Sequence, residues 1–162
     1  MWRRRLATVL LVSVLTAALG GMTAPRAAAP VRPDAGAFVE RLVVQIVRDD
    51  YARAWLTLHP AHKAVAPRWQ YVQCERRSPV PGAIASLRIV GSRNERVLVA
   101  GVGRVPGRAV TFRLVLRDPA YGSVTVTHTA HVVAVNGRWR WILTPERYAL
   151  YRAGCDPPLP SV

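Results

Sequence analysis

The chain has 162 residues, 51% hydrophobic and 20% charged, and its 23 Lys and Arg against 9 Asp and Glu give a formal net charge of +14. That length fits one domain, the hydrophobic share excludes a disordered chain, and a single long apolar run excludes a multi-span membrane protein. Two cysteines are too few for a disulfide-dense mini-protein.

Residues 1–30 read as a secretory signal segment. Arg3, Arg4 and Arg5 form a cationic head, residues 6–22 carry no charge, and Ala27, Ala28 and Ala29 offer a small-residue exit. Cleavage and retention as an anchor both remain open, because 17 apolar residues sit at the lower limit for a span. Without this segment the chain keeps 19 basic and 9 acidic residues, and Lys63 is its only lysine.

Residues 31–155 read as a single α+β domain. Asp34 is placed to cap a helix over 35–48, in which Phe38, Leu42, Val43, Ile46 and Val47 recur at three- and four-residue steps. Asp50 starts a second helix to about residue 58, and Pro60 opens a third to about residue 67. Trp69, Tyr71 and Val72 then lead to Cys74, and a Pro/Gly connector covers 78–82.

Beyond it the apolar period changes from 3.6 to about 2, which predicts five strands at 83–90, 96–103, 108–117, 123–135 and 138–143. Asn136-Gly137 marks a tight hairpin, and 91–95, 106–107 and 118–122 supply the other turns. Short links between successive strands make them antiparallel neighbours. Thr144-Pro145 then starts a short C-terminal helix that Gly154 closes, and 156–162, with three prolines, is expected to be a flexible tail. Helices laid on the concave face of such a curved sheet would leave a conical core, whose mouth is a natural place for a ligand pocket.

Cys74 and Cys155 are the only cysteines. In an oxidising compartment the simplest reading of an even pair is a disulfide, with two buried thiols as the alternative.

Three features carry a family likeness. They are Asp49-Asp50-Tyr51-Ala52-Arg53-Ala54-Trp55 with Leu58-His59-Pro60, the order of helices before an antiparallel sheet, and Gly137-Arg138-Trp139-Arg140-Trp141-Ile142-Leu143 near the end. Together they resemble the nuclear-transport-factor-2-like superfamily over about residues 34–152, in the form of an exported bacterial member. The resemblance implies a cone-shaped α+β domain. The superfamily includes ketosteroid isomerases, polyketide cyclases, dehydratases and epoxide hydrolases beside members without catalysis, so the resemblance does not select an activity.

The residues themselves offer little committed chemistry. Asp50 is a candidate base if it faces an apolar cone, and a helix cap otherwise. His128 shares strand parity with Val124, Val126, Ala130 and Val132, which points it to an apolar face as a core or pocket histidine. Tyr51, Trp55, His128 and Trp141 are the expected pocket walls, aromatic bodies with polar handles. His59/His62 and His128/His131 have no metal-site context, so no metal is expected, and no phosphate loop or nucleophile elbow calls for a cofactor.

Arg68, Arg76, Arg77, Arg88, Arg93 and Arg96 form either a solvated basic surface or a face for anionic envelope polymers and lipids; no nucleic-acid motif is present. The expected function is therefore an exported, non-enzymatic domain that binds a small apolar ligand or an envelope component. A lyase, isomerase or cyclase using Asp50 or His128 and an Arg-mediated surface association are the alternatives, and the oligomeric state stays open.

Overall fold

The computed structural model of the chain describes residues 34–120 and 122–155. The export segment read at 1–30 and the tail read at 156–162 lie outside them. The described residues form α1 (Ala35–Val47), α2 (Tyr51–Leu56), α3 (Pro60–Val65), α4 (Arg68–Arg77), β1 (Ala83–Val99), β2 (Gly103–Asp118), β3 (Gly122–Val135), β4 (Arg138–Trp141) and α5 (Pro145–Arg152). The class is α+β, with one open antiparallel sheet in the order β1-β2-β3-β4.

The helix starts follow the chemistry of the chain. Asp34 accepts from the Ala37 amide at 3.0 Å, Asp50 from Arg53 at 3.4 Å and Thr144 from Arg147 at 3.3 Å. Each satisfies a backbone donor that the first helical turn leaves free. α1 buries Ala35, Gly36, Val39, Leu42 and Val43 against the sheet, and Phe38, Ile46 and Val47 pack at the margin of that core. On the sheet side the same core holds Val110, Phe112, Leu114 and Leu116 of β2 with Val132 and Trp141. A smaller cluster of Val97, Val99 and Val133, joined by Val105, Val135 and Ile142, forms a second core.

The sheet has four strands where five were expected. The polar stretch 91–95, read as a turn, lies inside β1 and pairs with 107–111 of β2. β1 is an edge strand, so the exposed residues 91–94 cost it little buried contact. Pro106 and Gly107 likewise continue β2 and do not turn it. Pairing of β2 with β3 begins only at Gly107↔Val133, so Pro106 sits where one side of β2 needs no amide donor. At Gly107 a β-carbon would lie 2.7 Å from the Val132 carbonyl oxygen and 2.7 Å from a Val97 methyl; the glycine permits close approach.

The real β1–β2 turn falls at 100–102. At the β3–β4 hairpin, Asn136 and Gly137 have φ of 50° and 74°, the left-handed pair that a two-residue turn requires.

A fourth helix stands where the sequence reading placed no element. α4 puts Tyr71 and Glu75 on its buried side, and Cys74 beside them is bonded to Cys155 at the end of α5 with a Cα–Cα distance of 6.0 Å. The free-thiol alternative is thereby set aside. Between α2 and α3 the chain runs alongside β4: His59 donates to the Trp141 carbonyl at 2.9 Å and Trp141 donates to Thr57 at 3.2 Å. Among the described residues no helix is long and apolar enough to cross a membrane.

Candidate functional site

A cleft of about 580 Å³ opens between the helices and the sheet. Leu42, Val43 and Ile46 of α1, Phe112 of β2 and Trp141 of β4 give it an apolar wall. His128, Thr129, Ala130 and His131 of β3 border it where β4 no longer covers that strand, and the segment 142–147 closes the other side. Its lining runs from the main core at Phe112 to the second cluster at Val97 and Ile142. An apolar concavity with a few converging polar groups is the usual form of a small-molecule site.

The polar end of the cleft is built by α4 and α5. The Glu75 carboxylate accepts from the Arg147 guanidinium and from the Tyr151 hydroxyl. Glu75 is the only acidic or basic side chain other than His62 that is buried among the described residues. Burial raises the Tyr151 hydroxyl pKa far above the ordinary phenol range, and the Glu75 hydrogen bond adds to it, so Tyr151 remains a donor. Burial opposes the charge on Arg147, but Glu75 and Tyr151 more than offset it, and its pKa is raised. Tyr71, its ring 5.9 Å from Trp141, is likewise held protonated by burial first and by the Glu75 charge second. At this end the site keeps a paired carboxylate and guanidinium beside protonated phenols, while Glu95, Arg96, Arg104 and Glu146 place further charges in the lining.

The sequence-predicted site residues divide. His128 and Trp141 line the cleft. His128 is exposed rather than packed in the core, as is all of 122–128; its ring meets Phe112 edge-on at 5.7 Å. Trp141 is 8% exposed and its indole donates to the Ala54 carbonyl at 2.8 Å.

Tyr51 and Trp55 are not in the lining. Tyr51 is a core residue whose hydroxyl donates to Asp49 at 2.7 Å, and Trp55 donates its indole N–H to Ala66 at 2.8 Å while Lys63 lies 4.5 Å above its ring. Asp50 caps α2, pairs with Arg53 at 3.4 Å and also lies outside the cleft. Glu75 and Arg147 were missed. They are 72 residues apart, and only the meeting of α4 with α5 reveals them as a pair; the visible trace in the chain is one acid at the inner-face spacing of Tyr71.

The two histidine pairs do not converge, and among the described residues no three metal-ligating groups gather. His62 is fully buried, with Nδ1 accepting from the Leu143 amide at 2.9 Å. Nε2 completes no hydrogen bond of good geometry, although the Ala100 backbone slightly favours its charged form. Burial, reinforced by His59, lowers the His62 pKa from 6.5 to about 4.

Above pH 6.5 the ring is neutral both folded and unfolded. As pH falls toward 4 the unfolded chain binds a proton that the folded chain refuses, so stability drops, by about 3 kcal/mol in full. We predict a wild-type melting temperature that falls across this window. His62→Asn keeps an acceptor for Leu143 without the titration, and should flatten the fall; an equal fall in the variant refutes the assignment.

No protein-family model matches the chain, and no curated protein matches it.

Proposed function

We propose that the protein is an exported, non-enzymatic domain of nuclear-transport-factor-2-like form whose cleft binds a small, mainly apolar ligand. The carrying observation is the cleft itself: about 580 Å³ beside a wall of Leu42, Val43, Ile46, Phe112 and Trp141. The ligand's polar end is assigned to Glu75 and Arg147. Arg147 is half exposed while its partner is buried, so it presents a guanidinium edge toward the cleft without leaving a buried charge unpaired. Asp50, spent on capping and on Arg53, supports binding over catalysis. The Cys74–Cys155 bond supports an oxidising, extracytoplasmic location.

Titration with Nile red, an uncharged apolar dye, tests the reading. Saturable one-site binding is expected, weakened about tenfold or more by Ala130→Trp, which adds a large side chain to the cleft lining from β3. Dye binding that Ala130→Trp leaves unchanged, with the variant folded, overturns it. The enzymatic alternative is favoured by one observation, the exposed His128 in the lining. Turnover of a cleft ligand that His128→Ala abolishes, at unchanged binding, would decide for it.

A further inference from the structure

The two edges of the sheet are unlike. β1 forms one edge and carries Arg88, Arg93 and Glu95, with irregularities in its pairing between Ile84 and Ser86 and between Ile89 and Gly91. Charge and bulges of this kind keep an exposed strand from pairing with another chain. The opposite edge is divided. β4 covers only Val132–Val135 of β3, and the outer side of β4 is itself occupied by the 57–59 segment. That leaves residues 122–131 of β3 with backbone groups on one side that, among the described residues, meet no partner.

This free edge has none of the protections of β1. Gly122–Val135 contains no Asp, Glu, Lys or Arg, in a chain with 23 basic residues. It alternates Val124, Val126 and His128 with Thr125, Thr127 and Thr129, residues that favour extended structure. Val124 and Val126 are 42% and 40% exposed.

We propose that the free edge of β3 pairs antiparallel with the same edge of a second copy of this chain, about a two-fold axis at Val126, joining two sheets into one.

The strand is complementary to itself in that register. Val126 faces Val126 of the other copy, Thr125 faces Thr127, and Val124 faces His128, so apolar and hydroxyl faces continue unbroken across the seam. Charge permits it. The nearest arginines are Arg113 and Arg117 of β2, opposite Thr127 and Ser123. Equivalent β2 strands would be three strand spacings apart, about 14 Å, beyond the screening length of about 8 Å at physiological salt. Two strongly basic molecules thus meet along their neutral strip.

Sedimentation equilibrium over a range of concentrations tests this with the full chain. The wild type is expected to show a reversible dimer. Val126→Lys sets two ammonium groups face to face on the axis and should raise the dissociation constant about tenfold or more, at an unchanged melting temperature of the monomer. Val90→Lys on the β1 edge should leave it unaltered. If Val126→Lys fails to fold, Thr125→Lys on the other face serves, with the same expectation. Hydrogen exchange of the 122–130 amides should slow as protein concentration rises. A monomeric wild type, a dimer that both edge lysines leave intact, or edge protection independent of concentration overturns the proposal; the last would mean that another part of the same chain covers the edge.

Discussion

Reducing the Cys74–Cys155 bond is expected to lower the stability of the domain by about 4–5 kcal/mol, from the chain entropy released when a long loop is opened. The bond spans 81 residues, and it joins α4 to the end of α5 with the whole sheet between them in the chain. Small domains are stable by about 5–15 kcal/mol, so this one link carries a large share. The effect extends to the site, because Glu75 and Arg147 are brought together by the same two helices. Urea unfolding with and without reductant, and of a Cys74→Ser/Cys155→Ser protein, measures it. A loss below about 1 kcal/mol would show that the helices hold together unaided and that the loop argument fails here.

Trp141→Ala is expected to cost about 3–5 kcal/mol, the range for deleting a large buried aromatic side chain. Trp141 packs in the main core, stacks obliquely on Tyr71 and ties β4 to α2 through Ala54. The cost should not include an orphaned carbonyl, since Ala54 also accepts from Thr57. Trp141→Phe, which keeps most of the apolar body and loses the hydrogen bond, should cost only about 1–2 kcal/mol relative to the wild type. Denaturant midpoints at constant slope report both. Equal losses for the two variants would put the value of Trp141 in its indole donor and not in its packing.

The parts of the fold legible in the chain are those fixed by local chemistry. Asp34 before an amphipathic run, Thr144-Pro145 before another, and Asn136-Gly137 between alternating segments each satisfy a backbone requirement within four residues. The strand count was not legible, because 91–95 and Pro106-Gly107 have turn composition and become strand only through their partners across β1 and β2. α4 was hidden by its own polarity: its buried side carries Glu75, which no apolar pattern marks. The same holds for the site. Of the four expected wall residues His128 and Trp141 border the cleft, whereas Tyr51 and Trp55, which carry the same aromatic signature, are drawn into the core and into helix contacts. Aromatic type reveals burial or a rim; which of the two is decided by tertiary neighbours.

Native mass spectrometry of the protein, purified without denaturation and with Ala130→Trp measured alongside, decides whether the cleft beside Phe112 and Trp141 holds a ligand. A wild-type mass above that of the oxidised polypeptide is expected, with the excess lost on denaturation and missing from the variant. Wild-type and Ala130→Trp proteins that are equally bare, or equally loaded, would contradict it.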